Sequence, residues 1–478
     1  MVALGAIVLA GGSAAQAHTG RESRVQQRLT AIAHDPIQLR QFMLELPKGA
    51  DLHNHLSGAV FAESFLQWAA QDGTCITKVT YVASLPPCTA DQFSASTIMT
   101  NTGTQSEIIN AWSMRSFVPS LTVSGHDHFF ATFGRFGGVL GAPGRTGDAL
   151  AQVLDQAGRD HTLRLETMIT PNSGGAFTLA GALDARDPSL ATDPGNFAEA
   201  LALLRASGLD GAVADAKSQT DDFVGRAQQD LACGTAAAQP GCSVQYGFLA
   251  QSNRNARPNA VFTQFALAFA LASVDPRWSG IQLVAPEDGL ISLRDYTLQM
   301  RMVRYLSQQY PGVKIALHAG EFVPGLVPPA DLTSHIRQAV VIAGASRIGH
   351  GVSIRNERDA DQLMKVMRAR GVTVEVALTS NQQILDVTAR NSQFPVYEQA
   401  GVPRVLATDD PGVERTDLPA QYAKAFAWFK LDYQDLKKLS YASADASFLN
   451  PFKRAHLKQD LDIAFAAFEK KWAKSAAS

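Results

Sequence analysis

The chain has 478 residues, of which 46% are hydrophobic and 18% are charged, so it can bury a large core. Its 42 basic and 44 acidic residues give a formal net charge of −2, which offers no general attraction to nucleic acid or to an anionic membrane. After the first ten positions no apolar run reaches about 18 residues, so the sequence predicts no membrane span in the mature chain.

The N-terminus has features of a signal peptide. Positions 2–10 are almost wholly apolar, and Ala15-Gln16-Ala17 is a small-x-small site suited to cleavage before His18. A positively charged stretch ahead of the apolar segment is missing, so an ordinary N-terminal helix is the alternative. We expect residues 1–17 to be a signal peptide and the protein to be exported, to the periplasm or out of the cell.

Two helices and a strand are predicted next. Residues 22–34 have apolar positions at helical spacing, and Asp35 is suited to cap a second helix that begins at Pro36. A short apolar run then leads into His53 and His55. Residues two apart on a strand share one face, so both imidazoles can point to one site. A structural or solvent-exposed pair is the alternative reading.

Two stretches, near 71–120 and 206–241, read as insertions. Two cysteines lie close together in or directly beside each stretch, Cys75 with Cys88 and Cys233 with Cys242, in loop-rich sequence. Four cysteines allow three pairings, and proximity favours two local disulfides, which suit an exported protein. Four unpaired thiols are the alternative, and neither couple has the Cys-x-x-Cys spacing of a zinc or redox motif.

A second pair of histidines, His126 and His128, has different surroundings. Phe129, Phe133 and Phe136 follow at helical spacing, so the segment reads as a helix start. Residues two apart on a helix point to nearly opposite sides and cannot bind the same ion. We predict that neither histidine is a metal ligand.

Seven further apolar runs read as strands. They cover residues 163–169, 244–249, 280–285, 313–317, 347–348, 372–376 and 404–407. Helical patterns lie between most of them, most clearly over 258–272, 293–309, 332–343, 357–369 and 418–429. With the strand before His53, the alternation predicts an α/β fold, a parallel (β/α)₈ TIM barrel with inserted loops and additional helices, as one domain over residues 18–478.

A histidine and a glutamate follow the strand at 313–317, at the end where barrels of this kind carry their sites. His318 ends the strand, and the small Ala319 and Gly320 allow a tight turn that brings Glu321 back beside it. Burial there would raise the pKa of Glu321 and make it a proton donor. The alternative is a surface glutamate after a core histidine.

The last two strand ends carry a histidine and a pair of acids. His350 lies between two glycines, where it is a candidate metal ligand, a base, or a buried structural residue. Asp409 and Asp410 point apart if extended, so one can face a metal and the other a substrate, although consecutive acids are also common in solvated loops. Imidazoles and a carboxylate together suit one divalent ion such as Zn²⁺, which makes hydroxide available near pH 7 for a hydrolytic reaction.

These motifs resemble the adenosine deaminase family of the metal-dependent amidohydrolase superfamily, particularly its exported bacterial and growth-factor-like branch. Four segments occur in family order within about 46–429: Lys-Gly-Ala-Asp-Leu-His-Asn-His from Lys48, His-Ala-Gly-Glu from His318, Arg-Ile-Gly-His-Gly from Arg347 and Thr-Asp-Asp-Pro from Thr408. The resemblance implies a (β/α)₈ barrel with one zinc ion per chain, which hydrolyses the exocyclic amine of adenosine or a closely related 6-aminopurine nucleoside and releases ammonia.

The resemblance also implies a role for each residue. The implied zinc ligands are His53, His55, His318 and Asp409. Glu321 would protonate the purine ring nitrogen beside the reacting carbon, and His350 would orient and deprotonate the attacking water. Asp410 would hydrogen-bond the imidazole-ring edge of the purine and help to hold the attacking hydroxide.

Two positions depart from the family pattern, and both concern the substrate. Ser57 stands where the family has an acid for the ribose 5′-hydroxyl, although the following Gly58 is kept, and serine is the weaker acceptor. Ala285 stands where the family has a glycine whose backbone N–H contacts the purine. The same chemistry on another aminopurine or a pterin is therefore an alternative. A non-catalytic nucleoside-binding or signalling protein is a further one, which an incomplete ligand set would favour.

Overall fold

The computed structural model describes residues 11–186 and 196–474 of the chain. Residues 1–10 of the predicted signal peptide lie outside this range, and residues 11–17 belong to the first helix, Gly11–Ile32. None of the helices in the described ranges is both long and apolar enough to cross a bilayer.

Eight parallel strands form the central sheet, and each strand pairs with the next one in chain order. They are β1 Lys48–His55, β2 Thr162–Ile169, β3 Gln245–Asn253, β4 Trp278–Val284, β5 Lys314–Ala319, β6 Arg347–His350, β7 Thr373–Val376 and β8 Arg404–Leu406. The sheet closes where the segment after β8 meets β1: the Asp409 N–H donates to the His53 carbonyl at 2.8 Å, and the His55 N–H donates to the Asp409 carbonyl at 2.9 Å. The predicted (β/α)₈ barrel is confirmed.

Helices cover the outside of the barrel. The main ones are Arg145–Arg159, Leu209–Asp230, Pro258–Val274, Leu290–Gln309, Ala360–Arg370 and Leu418–Phe429. The helix predicted over 332–343 is broken instead into a 3₁₀ turn at Asp331–Thr333, an α turn at His335–Gln338 and a π turn at Ala339–Ala343. Ser334, with φ −148° and ψ −10°, lies outside helical geometry and interrupts the run.

The N-terminal and C-terminal helices pack together. Asp35 caps the helix Pro36–Glu45, as predicted, by accepting the N–H groups of Ile37 and Gln38. Phe42 on that helix packs edge-on against aromatic rings of the last two helices, Tyr433–Ala446 and Pro451–Trp472. This layer closes the amino end of the barrel and leaves the carboxyl ends of the strands for the site.

The stretch predicted as an insertion at 71–120 forms a small unit of its own. A three-stranded antiparallel sheet, Ala83–Ser84 with Cys75–Thr77 and Gln92–Ser94, is followed by the helices Ala95–Ile98 and Thr102–Ala111. The predicted disulfide between Cys75 and Cys88 is present and fastens this sheet.

The stretch at 206–241 consists mostly of the helix Leu209–Asp230. This helix packs against Arg145–Arg159 and Pro258–Val274, so it belongs to the ring around the barrel. The extra helices between β2 and β3 are Ser173–Asp184 and Phe197–Ala206. The second predicted disulfide, Cys233–Cys242, is also present and closes the turn that leads into β3.

Candidate metal centre

Four side chains from three strand ends converge at the carboxyl end of the barrel. His53 and His55 lie on β1, His318 on β5, and Asp409 follows β8. The Nε2 atoms of His53 and His55 lie 3.1 and 3.2 Å from Nε2 of His318. Both also lie 3.3 Å from Oδ1 of Asp409. The four residues that the sequence predicted as ligands therefore meet at one point.

The donor set fits a divalent ion such as zinc. Zinc–nitrogen bonds of about 2.1 Å in a tetrahedral site would place neighbouring ligand atoms about 3.4 Å apart, close to the spacing found here. Burial and the charges of its histidine neighbours hold the pKa of His318 well below its usual value, so its lone pair is available. Burial raises the pKa of Asp409, but the neighbouring histidines outweigh it and hold the pKa well below its usual value, so the carboxylate is ionised.

A network of buried ion pairs supports His53. Its Nδ1 lies 2.7 Å from Oε2 of Glu375 on β7, and the other oxygen of Glu375 lies 2.6 Å from Nε of Arg347 on β6. Arg347 also binds Glu166 on β2 at 2.6 Å, and Arg164, which pairs with the same Glu166, completes the network. All are at most 3% exposed. A carboxylate behind a metal-binding histidine fixes both the tautomer and the direction of the ring.

His350 lies beside the four predicted ligands. Its backbone has φ +64°, its Nδ1 lies 3.0 Å from Oδ1 of Asn381, and its Nε2 points to the site at 3.5 Å from Asp409 and 3.6 Å from Glu321. The buried Nε2 has no hydrogen-bond partner among the described residues. The geometry allows a fourth imidazole ligand as well as a base, since Nε2 lies near enough to His53, His318 and Asp409 to share an ion with them.

Glu321 sits in a turn that Glu287 organises. Gly320 has φ +75°, and the carboxylate of Glu287 accepts the N–H groups of Gly320 and Glu321 at 3.0 and 2.9 Å. His335 holds the same carboxylate at 2.6 Å. Burial raises the pKa of Glu321, the direction expected for a group that acts as a proton donor.

Asp410 lines the cavity with its carboxylate close to that of Asp409, so the two side chains do not point apart as the sequence predicted. Burial, together with the nearby Asp409 and Glu414 carboxylates, raises the pKa of Asp410 well above its usual value. Its Oδ1 is buried with no hydrogen-bond partner among the described residues, so it is free for a ligand. Gly58 makes room for it, because a Cβ at this glycine would lie 1.6 Å from that oxygen.

A cavity of about 240 Å³ opens beside the cluster. Ser57, Gln251 and Ala285 line it, and Phe129, Phe130 and Phe133 form an aromatic face on one side. Ala285 has φ +81°, the left-handed region that glycine occupies at no steric cost, which is consistent with the family glycine at this position. No lysine or arginine is among the cavity-lining residues in the described part of the chain.

His126 and His128 lie outside the cluster, on a segment that is a helix as predicted. They lie in the helix Gly125–Leu140, whose first turn has a reciprocal cap between Ser124 and Asp127. His126 binds Asp288 at 3.0 Å, whereas His128 binds the carbonyls of Asn110 and Ser113.

Several residues that shape the site are not among those predicted from the sequence. Glu375, Asn381 and Glu287 each hold a predicted site residue in place, and Gln251 lines the cavity. Only Glu375 gave a usable signal, as an acid inside the apolar run 372–376. Glu287 lies in the loop after β4, Asn381 in the helix Leu378–Leu385 and Gln251 near the end of β3, and their partners are distant in the sequence.

Part of the chain is similar to known adenosine deaminases. Residues 230–464 match the adenosine deaminase family model. Adenosine deaminase from Enterococcus faecalis is 29% identical over 154 residues, 32% of this chain and 42% of that protein. The enzyme from Lactococcus lactis subsp. lactis is 33% identical over 151 residues, 31% of this chain and 40% of that protein. The chain thus spans less than half the length of these relatives.

Solved structures share the fold. An N6-methyl-AMP deaminase from Arabidopsis thaliana superposes with a TM-score of 0.57 at 18% identity and covers 89% of this chain and 98% of its own. An amidohydrolase from Burkholderia ambifaria with bound zinc gives 0.56 at 17% identity, over 91% of this chain and 94% of its own.

Fold and donor cluster define a (β/α)₈ barrel protein with a candidate metal centre at the carboxyl ends of its strands. The family match over residues 230–464, together with the fold and the donor cluster, supports the adenosine deaminase family for this chain. Its assignment to the exported, growth-factor-like branch stays a prediction.

Proposed function

We propose that the protein is a zinc-dependent hydrolytic deaminase of adenosine or a closely related 6-aminopurine nucleoside. The observation that carries the proposal is the meeting of three imidazoles and an ionised carboxylate beside a cavity that also contains Glu321, His350 and Asp410. Every ligand and proton-handling group that the reaction needs is present, which speaks against a non-catalytic nucleoside-binding or signalling protein.

The residues divide the chemistry between them. A zinc ion held by His53, His55, His318 and Asp409 would bring the pKa of a water molecule near 7. His350, with a free Nε2 beside Asp409, takes the proton of the attacking water and orients it. Glu321 donates its proton to the ring nitrogen next to the reacting carbon, and Asp410 hydrogen-bonds the five-membered ring of the purine. Water and the 6-aminopurine become the 6-oxopurine and ammonia.

The charge of the cavity favours a nucleoside over a nucleotide. Glu321, Asp409 and Asp410 bring carboxyl groups to it, and no basic side chain lines it in the described part of the chain. A 5′-phosphate would therefore be desolvated without a countercharge. Similar solved structures hold IMP and GMP, so the two substrate classes need to be compared directly.

A different amine is the second candidate. Ser57 replaces the family acid at the ribose end, and the fold is shared with an adenine deaminase from Arthrobacter aurescens at a TM-score of 0.56 and 17% identity. Deamination of adenine, another aminopurine or a pterin would use the same ligands and the same acid.

Metal analysis and a substrate panel test the proposal. We expect about one zinc per chain, and faster ammonia release from adenosine than from AMP, adenine or a pterin. Ammonia from the non-nucleoside amines alone would favour the second candidate, and none from a zinc-loaded protein would favour a binding role. Glu321→Gln should retain zinc and lower kcat by at least about a hundredfold, because general acid catalysis contributes about 10²–10⁴-fold.

Export is part of the same proposal. The apolar segment at 2–10 and the site at Ala15-Gln16-Ala17 support it, and the two disulfides suit an oxidising compartment. Mass spectrometry of the mature N-terminus tests it: processing before His18 is expected, and an intact chain retained in the cytosol would contradict it.

A further inference from the structure

The pair His126 and His128, which takes no part in the metal centre, sits on two different faces of the helix Gly125–Leu140. His126 shares one face with Phe129, Phe130 and Phe133, since these positions are 3, 4 and 7 residues apart. All three phenylalanines line the cavity. The orientation of this aromatic face therefore sets the shape of the substrate site.

His126 links the helix that carries the aromatic face to the loop after β4, whose residues Ala285 and Pro286 line the cavity. Its Nε2 lies 3.0 Å from Oδ1 of Asp288, and both side chains are mostly buried, at 16% and 21% exposure. Its ring also contacts the ring of Phe130 edge-on at 4.7 Å. Asp288 lies in the loop after β4, one residue after Glu287 and three after Ala285, so a single short loop contacts the purine site, the turn of Glu321 and the aromatic helix.

The first turn of the helix is wedged between two sides of the barrel mouth. A Cβ at Gly125 would lie 1.9 Å from the carbonyl oxygen of Gln383, in the helix after β7. On the other side stands Asp288, in the loop after β4. The close packing of Gly125 on the Gln383 carbonyl and the bond from His126 to Asp288 together fix the position of the first helical turn.

We propose that His126 is a positioning residue for substrate binding, which holds the aromatic face of the helix Gly125–Leu140 over the cavity through its bond to Asp288. The proposal rests on the proposed function, because the face would pack against the purine. His126 then acts on substrate affinity, while the reacting groups Glu321 and His350 stay in place without it.

The charges around His126 support a pair that is strongest when the imidazole is protonated. Asp288 at 3.0 Å and Asp127 at 3.6 Å face it, and Glu321, when ionised, acts in the same direction. Burial lowers the pKa of His126, but these acids outweigh it and leave the pKa above its usual value. The contribution is therefore present at low pH and lost as the pH rises through this raised pKa.

The test compares three variants of the full-length protein in adenosine deamination. His126→Phe keeps an aromatic ring beside Phe130 but removes the bond, and Asp288→Asn removes the charge from the other side. We expect each to raise KM about fivefold at about pH 6 while kcat changes less than about twofold, with a smaller difference at about pH 9. An unchanged KM in both variants would overturn the proposal.

His128→Phe is the matched control. His128 binds carbonyls of Asn110 and Ser113 and stacks on Phe117 at 4.3 Å, on the side of the helix that faces away from the cavity. We expect it to lower thermal stability and leave KM unchanged. A KM shift equal to that of His126→Phe would mean that general loosening of the helix, and not the pair, sets the affinity.

Hydrogen exchange separates this proposal from the proposed function. Without any substrate, His126→Phe and Asp288→Asn should speed amide exchange in the first turns of Gly125–Leu140. If the wild-type protein released no ammonia from adenosine, the proposed function would fail. The exchange measurement would still test whether His126 and Asp288 hold the helix in place. Unchanged exchange in both variants would refute the pair's positioning role whatever the substrate.

Discussion

Single residues at the strand ends have backbone and steric constraints around the candidate metal centre. His350, Asp409 and Ala285 have φ of +64°, +69° and +81°, a region that costs a non-glycine residue roughly 1–2 kcal/mol. Gly349 shows the opposite constraint, because a Cβ there would lie 2.4 Å from Cε1 of His53. The site thus depends both on strained side-chain-bearing positions and on one position without a side chain.

Gly349→Ala is expected to damage the metal centre. The added methyl group must displace the ring of His53, so zinc affinity should fall at least about tenfold and stability by about 1–3 kcal/mol. A chelator competition titration measures the first and thermal unfolding the second. Gly137→Ala is the control: nothing lies within 4 Å of a Cβ on this exposed helical glycine, so zinc affinity should not change. Unaltered zinc affinity in Gly349→Ala would refute the steric argument.

At the scale of elements, the sequence predicted much of the barrel and little of what links its strands. Each apolar run that read as a strand is a strand, because a parallel barrel buries both faces and leaves a continuous hydrophobic signal. The predicted ligands follow from that, since a residue just after such a run lies at the carboxyl end. The bond between His53 and Glu375 joins residues 322 apart, and no local pattern encodes it.

The broken helix at 332–343 shows a different limit. Its apolar spacing favours one helix, but Glu357 accepts the N–H of Ile336 at 2.7 Å, and His335 binds Glu287 under the turn of Glu321. These tertiary bonds fix the chain near Ser334 away from regular geometry. Local spacing cannot predict such an override.

Glu375→Gln tests the link between β1 and β7. Glutamine keeps the shape but removes the charge that His53 and Arg347 share, so we expect zinc affinity to fall about 10–100-fold. Glu166→Gln is the matched variant at the far end of the same network of ion pairs, where Glu166 contacts Arg347, Arg164 and the Phe448 N–H. It should lower the melting temperature with a smaller effect on zinc affinity. Equal losses of zinc affinity in both variants would show that the network affects zinc binding only through the stability of the fold.

For the molecule as a whole, the centre sits where the barrel closes. β8 has only three residues, and the bridge to β1 lies between Asn54 and Asp409. The two N–H···O bonds there belong to His53, His55 and Asp409, all predicted ligands. Removal of zinc by a chelator should therefore lower the melting temperature, by an amount equivalent to about 4 kcal/mol when free zinc exceeds its Kd about a thousandfold. Equal melting temperatures with and without chelator would contradict this.

The closure between β1 and the segment after β8 also bears on how much of the protein accumulates in the compartment where it folds. Because predicted ligands form this closure, we expect a chain that folds without its ion to hold β1 and the segment after β8 together less firmly. Such a chain offers unpaired strand edges to proteases and to other copies of itself. We expect the supply of zinc in its compartment to govern how much of the protein accumulates, before it governs how fast each molecule works.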